Sequence, residues 1–83
     1  MSLGDLFGEY PVQAEALQLN SIFLIADENR SMVLYHTSKS DVMVGNAIAC
    51  RQLQYSIRFG DVIYITSNDG KYDLEIHYIA VFQ

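Results

Sequence analysis

The sequence has few of the residues that catalytic and metal sites use. Its 83 residues contain one cysteine, two histidines and no tryptophan. The single cysteine, Cys50, cannot form an internal disulfide, which favours a reducing compartment, so we expect a cytoplasmic protein. His36 and His77 lie far apart in the chain, whereas a structural zinc site needs about four ligands at recognisable spacing. We therefore expect neither a metal nor a cofactor.

Long apolar runs are also missing. No stretch approaches the roughly 18 to 20 apolar residues of a membrane helix, so we expect no membrane span. No basic segment followed by an apolar run stands at the start, so we read no secretory signal, and residues 1–3 also fit an expression leader. With 51% hydrophobic and 18% charged residues, the chain is too apolar for a disordered segment, and its length predicts a single domain over 1–83.

Basic residues are scarce. Five lysines and arginines stand against ten acidic residues, which gives a formal charge of −5. This field repels phosphate backbones and anionic lipid surfaces, so we expect neither nucleic acid nor a membrane as a partner. An acidic balance of this size also serves ordinary solubility.

Strand patterns fill the chain from Ser21 onward. Apolar and β-branched runs predict strands at 21–26, 31–37, 52–59, 62–66 and 72–82. The run 52–59 alternates strictly between apolar and polar residues, which predicts that one set faces the core: Leu53, Tyr55, Ile57 and Phe59. Polar breaks predict hairpin turns near 27–30 and 67–71, the second around Asn68-Asp69-Gly70.

Two segments have ambiguous patterns. Residues 11–18 combine Pro11 at a favourable first helical position with helix-forming residues, but they also alternate as a strand would, and we favour a short helix. Residues 42–50 form either two short strands joined at Gly45-Asn46 by a type II′ turn or a short helix capped by Asp41. We favour the strands.

These elements predict a mainly β fold. Five or six short antiparallel strands over 21–82, with a short N-terminal helix, indicate a small barrel or a curled sheet. Closure into a barrel would also remove the sheet edges that invite aggregation.

No catalytic constellation is visible, so we predict that the protein is not an enzyme. Nucleophilic catalysis needs a nucleophile beside a base that a third group orients. Cys50 has the character of a small buried hydrophobe, and the pair Glu75 and His77 fits a solvated strand face. The tyrosines at 55, 72 and 78 fall in register with core positions. An enzyme would need a well-formed pocket that holds His77 or Cys50.

One segment resembles a known family. Residues 57–65, Ile-Arg-Phe-Gly-Asp-Val-Ile-Tyr-Ile, resemble the second signature of the Sm-like RNA-binding proteins, in which Ile-Arg-Gly-Asp or Ile-Arg-Gly-Asn leads into a β-branched strand. The resemblance implies a five-stranded barrel behind a short helix, with Arg58 facing RNA. Phe59 separates Arg58 from Gly60 here, and the match covers nine residues. Nucleic-acid binding by such a barrel is therefore our alternative hypothesis.

The leading hypothesis is a non-enzymatic interaction or assembly module. A domain this small gains little stability from its core, and oligomerisation is a common remedy. The outward face of the last strand begins with Asp73, Glu75 and His77 and then changes to Ile79 and Val81, while the inward face stays apolar. We therefore predict that Ile79 and Val81 contact a protein partner, either a second copy of this chain or another protein. In the alternative, residues 3–19 fold over Ile79 and Val81 and bury them within the domain.

Overall fold

The structure is a computed structural model, and it describes residues 2–26 and 32–78. Two short helices open the chain, α1 (Leu3–Leu6) and α2 (Pro11–Ala16), and a 3₁₀ turn follows at Leu19–Ser21. Seven strands then follow in order: β1 (Ile22–Ala26), β2 (Met32–His36), β3 (Asp41–Val44), β4 (Ala47–Ile48), β5 (Tyr55–Ile57), β6 (Val62–Thr66) and β7 (Asp73–His77).

The strands form two antiparallel sheets. One sheet has the order β1-β2-β5 and the other has the order β4-β3-β6-β7. The predicted mainly β class is therefore confirmed. The described strands do not close into a barrel, so the barrel form of the prediction is not confirmed.

A single long hairpin belongs to both sheets. Its first arm holds β2 and β3, and its second arm holds β4 and β5, with β2 paired to β5 and β3 paired to β4. Between these pairs the arms stay connected, since the Gln52 N–H donates to His36 O and the Ala49 N–H donates to Val42 O. On the other side of the first arm, β1 pairs with β2 and β6 pairs with β3. The chain therefore passes from one sheet to the other at residues 37–40.

The hairpin turns at Gly45-Asn46, as the sequence predicted. Val44 pairs with Ala47, which leaves a two-residue loop. Gly45 has φ +59° and Asn46 does not share that positive φ, which is the pattern of a type II′ turn. The strand interpretation of 42–50 is correct, and the helical alternative is wrong.

The predicted strand 52–59 is much shorter than expected. Only Tyr55–Ile57 is strand, and Leu53 and Phe59, predicted to face the core, are 61% and 67% exposed. At one end Gln52 takes a left-handed φ of +67°. At the other end the Gly60 N–H donates to Tyr78 O, and the Tyr78 N–H donates to Asp61 O. Two residues thus oppose one in a β-bulge, and the chain turns before Phe59 can pack inward.

The last strand alternates as predicted. Leu74 and Ile76 pack against the core, while Asp73, Glu75 and His77 are exposed. The turn before it is also confirmed, because Gly70 has φ +72° and Thr66 pairs with Asp73. The predicted turn at 27–30 and the last residues, with Ile79 and Val81, lie outside the described residues.

One apolar cluster draws on both sheets and on the N-terminal segment. Its largest fully buried side chains are Leu3, Leu17, Leu19, Ile22, Leu34, Val42, Ile63 and Ile65. Leu3, Leu17 and Leu19 precede the first strand, so the N-terminal segment contributes three side chains to the core. The predicted helix at 11–18 is confirmed as Pro11–Ala16, with Pro11 in the first turn, where its missing N–H costs nothing.

Two serine hydroxyls fasten the end of α2 to the segment where the hairpin changes sheets. Ser38 Oγ and Ser40 Oγ both donate to Leu17 O, at 3.1 and 2.9 Å, and all three groups are buried. Ser38 Oγ also accepts the N–H of Ser40 at 3.0 Å. Beside them, the Lys39 N–H donates to the side-chain oxygen of Gln18 at 2.7 Å.

The two serines predict unequal losses of stability. Ser38→Ala removes a donor to Leu17 O and leaves the buried Ser40 N–H without its partner, which costs about 1–3 kcal/mol. Ser40→Ala removes one of two donors to the same carbonyl, which costs about 1 kcal/mol. Urea unfolding of both variants measures the difference, and an equal or larger loss in Ser40→Ala would contradict this account.

A compact set of hydrogen bonds holds the turn between β6 and β7. Asp69 Oδ1 accepts the Ser67 hydroxyl at 2.7 Å and the Lys71 N–H at 3.0 Å. The Ser67 hydroxyl oxygen in turn accepts the N–H of Tyr72 at 3.1 Å. The hydrogen bond from Ser67, followed by that from Lys71, lowers the pKa of Asp69 below its ordinary value. The turn therefore favours the ionised carboxylate.

This turn predicts a pH-dependent effect of Asp69→Asn. Because the pKa of Asp69 is lowered on folding, its contribution is present above the unfolded pKa of about 3.9 and is lost as the pH falls through the folded value. We expect Asp69→Asn to unfold at lower urea than the wild type at pH 7, and the two proteins to converge as the pH falls below the lowered pKa of Asp69. A gap that persists unchanged at the lowest pH would show that the charge is not involved.

Candidate functional site

The exposed side of the four-stranded sheet carries an apolar row. Met43 on β3 lies directly between Ile48 on β4 and Tyr64 on β6, and Tyr64 pairs in turn with Glu75 on β7. Neighbouring side chains in such a row are about 5 Å apart, so the four side chains form one continuous surface. Ile48 is 70% exposed and Tyr64 is 39% exposed. We call this exposed side of β4, β3, β6 and β7 the sheet face.

Acidic side chains border this row. Asp41 and Asp73 stand on either side of Thr66 in the next row of the same face, and Glu75 ends the apolar row. None of the four strands contains a lysine or an arginine. The sheet face therefore has an apolar centre and an acidic border. A shallow depression of about 380 Å³ runs along it, lined by Asp41, Val42, Met43, Ile48 and Thr66.

A second concave surface lies where the N-terminal segment meets β7. It has a volume of about 320 Å³, and its lining is mostly apolar: Phe7, Tyr10, Gln13, Ala14, Leu17, Leu19, Asp73 and Leu74. Its volume falls at the lower end of the range of ligand pockets, about 300 to 1,000 Å³. We call this surface the edge groove. Leu17, whose carbonyl the two serines hold, is part of its wall.

Cys50 is exposed, so the expectation that it is a small buried hydrophobe is wrong. Arg51 and Gln52 form a turn immediately after it, which takes residue 50 out of the strand and out of the core. It shares a cavity of about 180 Å³ with His36, which is buried. That volume is smaller than ligand pockets usually have.

His36 is not placed to activate the thiol. Its Nε2 lies 2.6 Å from Ala49 O, and a carbonyl can only accept, so Nε2 carries the proton. Its Nδ1 is buried and has no hydrogen-bond partner among the described residues, Cys50 included. A nucleophile needs a hydrogen-bonded base, and the described residues do not form that contact here.

His77 and Glu75 form an exposed pair, as the sequence predicted. The distance from His77 Nε2 to a carboxylate oxygen of Glu75 is 2.9 Å, and both side chains are more than half exposed. The pair lies at the border of the sheet face. It lines neither the edge groove nor the depression on the sheet face.

The tyrosines divide between core and surface. Tyr55, Tyr72 and Tyr78 are half-buried and pack against the core, which confirms their predicted role. Tyr64 instead belongs to the sheet face and Tyr10 to the edge groove.

Arg58, the residue that the resemblance to Sm-like proteins singles out, is exposed beside the β-bulge. Its backbone N–H donates to the Asp61 carboxylate at 2.8 Å. The two residues border a polar depression of about 480 Å³. An anionic ligand at Arg58 would therefore meet a neighbouring carboxylate, which opposes phosphate binding.

The described part of the chain contains no group of three or more His, Cys, Asp or Glu side chains that could hold a metal ion. Over the same residues, none of the helices is long and apolar enough to cross a membrane. Comparison with protein-family models, with curated proteins and with solved structures gave no match.

Sequence reasoning missed the sheet face and the edge groove. Met43 and Tyr64 lie on the outward phase of their strands and alternate with buried residues, and this alternation was a usable signal: the buried residues are Val42, Val44, Ile63 and Ile65. Their contact depends on the pairing of β3 with β6, which are some twenty residues apart. The groove depends on the packing of Phe7 and Leu17 near β7, for which the sequence carries no local signal.

The net charge and the surroundings of Arg58 lead to a prediction about nucleic-acid binding. We expect no appreciable affinity for RNA or DNA at physiological salt, because the net charge is −5 and Asp61 stands beside Arg58. Fluorescence anisotropy with single-stranded RNA measures this, with Lys39→Ala as the control for Arg58→Ala. Micromolar binding that weakens with salt and disappears only in Arg58→Ala would instead establish the Sm-like alternative.

Proposed function

We propose that this protein is a non-enzymatic interaction module that binds a protein partner through the sheet face. The observation that carries the proposal is the outward-facing row of Ile48, Met43 and Tyr64, which ends at Glu75; Ile48 and Tyr64 are exposed and Met43 is half-buried. An apolar surface with a charged border is typical of interaction sites. Tyrosine and methionine are enriched at the centres of such interfaces.

The charge of the face favours a basic partner. Asp41, Asp73 and Glu75 carry negative charge at its border, and its strands contain no lysine or arginine to offset them. A partner with lysines or arginines around an apolar patch would be steered toward this face, and its long-range attraction would weaken with salt. A second copy docking face to face would bring its own carboxylates against these, which is unfavourable.

Self-association stays a separate proposal. Ile79 and Val81, on which it depends, lie outside the described residues. Its physical basis is that a small core contributes little stability, which oligomerisation would increase. Sedimentation equilibrium at about 100 μM tests it: a dimer would support self-association, and a monomer would refute it.

We also propose a reducing location such as the cytoplasm. The exposed thiol of Cys50 supports it, because an exposed cysteine in an oxidising compartment would form disulfides between molecules.

The test compares partners captured from source cells by the wild type and by Tyr64→Asp. The control is Val12→Asp, which introduces the same charge at an apolar residue that is also exposed but lies on α2. A protein recovered by the wild type and by the control, then purified, should bind Tyr64→Asp at least about tenfold more weakly, since a central aromatic often contributes about 2 kcal/mol or more. Calorimetry at two salt concentrations measures this. Equal binding by Tyr64→Asp would overturn the proposal.

A further inference from the structure

The outer edge of β7 exposes backbone hydrogen-bonding groups. β7 is the last strand of its sheet, and its inner edge pairs with β6. At the two ends of β7, backbone groups of Tyr72 and Tyr78 bond toward the β6 side: Tyr72 O accepts the Ser67 N–H, and the Tyr78 N–H donates to Asp61 O. Because bonding alternates along an antiparallel strand, the N–H and C=O groups of Asp73, Glu75 and His77 point to the other side. Among the described strands, none pairs with that side.

The edge groove opens beside this same edge. Asp73 and Leu74 both line it, and the opposite wall is formed by Phe7, Tyr10 and Leu17. A strand laid against β7 would have side chains that point alternately to the two faces of the sheet. Every second side chain would therefore turn toward the groove, and the remaining side chains would extend the sheet face.

The two sides of such a strand would meet different chemistry. On the groove side the contacts are apolar, and about 320 Å³ accommodates a large aliphatic or aromatic side chain. On the other side, Asp73 and Glu75 would stand directly opposite the added side chains. Opposite charges in cross-strand pairs stabilise a sheet, and like charges destabilise it.

We propose that β7 and the edge groove bind an extended segment of the partner protein, in which large apolar residues alternate with lysine or arginine. Binding would occur by strand addition: backbone hydrogen bonds along Asp73–His77 give affinity, and the alternation gives specificity. The proposal rests on the interaction-module function and names the partner's chemistry. A second copy is the poorer occupant, because its own β7 carries Asp73 and Glu75 to the same edge.

The test uses three synthetic peptides with blocked ends. The first, Lys-Leu-Lys-Phe-Lys-Leu-Lys, has the proposed alternation. The second, Lys-Lys-Leu-Phe-Leu-Lys-Lys, has the same composition and charge without it. The third is the first peptide with methylated backbone nitrogens at its lysines, which removes the N–H donors of the edge that would face β7 in antiparallel pairing. Titration of ¹⁵N-labelled protein locates binding, and calorimetry measures its strength.

We expect the alternating peptide to bind at least about tenfold more tightly than either control peptide. The amide signals of Asp73, Glu75 and His77 should shift most and become protected from hydrogen exchange. Glu75→Lys should weaken binding of this peptide and strengthen binding of its version with glutamate in place of lysine.

Filling the groove gives an independent check. Ala14→Phe places a large side chain in the groove wall and should weaken binding about tenfold or more, whereas Val12→Phe, exposed on the same helix and outside the groove lining, should not. Circular dichroism confirms that both variants fold.

Three results would overturn the inference. Equal binding of the alternating and scrambled peptides, with shifts confined to Met43 and Tyr64, would refute strand addition and leave the sheet face as the binding surface. Absence of binding by all three peptides would also refute it, while the Tyr64→Asp comparison still decides the module function. Protection of the amides of residues 73, 75 and 77 in a wild-type dimer without peptide would identify a second copy as the occupant.

Discussion

The fold depends on how the carbonyl of Leu17 is satisfied. This carbonyl ends α2, where no further helical N–H is available, and it is buried, so losing its partners would be costly. Ser38 and Ser40 supply two hydroxyls from the segment that links the two sheets. The carbonyl oxygen of Leu17 thus links the N-terminal segment to residues 37–40, where the chain passes from one sheet to the other. The same contact sets the position of the wall of the edge groove.

The long hairpin accounts for most of the remaining architecture. Because its arms run through both sheets, the inward residues of β2 and β3 contribute to a single core. The first arm also provides the strand beside which β6 and then β7 are added. The order of pairing therefore makes β7, with its acidic residues, an edge strand. The alternation along β7 then decides which of its side chains meet solvent.

Local sequence patterns correctly predicted the strands and turns that depend mainly on neighbouring residues. The strand at 62–66, the turns at Gly45 and Gly70 and the wet side of β7 follow from alternation and from the conformational freedom of glycine. Leu53 and Phe59 were placed wrongly because a turn and a bulge, the latter completed by Tyr78 from a distant part of the chain, interrupt their strand. The division into two sheets depends on pairings between distant segments. The sheet face and the groove depend on the same pairings, so alternation alone could not locate them.

The two edge strands of the four-stranded sheet differ in length, and this limits where a further strand could pair with the sheet. β4 has two residues and is followed by a departing chain, so it offers almost no template for a further strand. Only the β7 end is long enough to template one, and its carboxylates repel strands of the same charge. Strand pairing at the four-stranded sheet is therefore confined, among the described strands, to the β7 end.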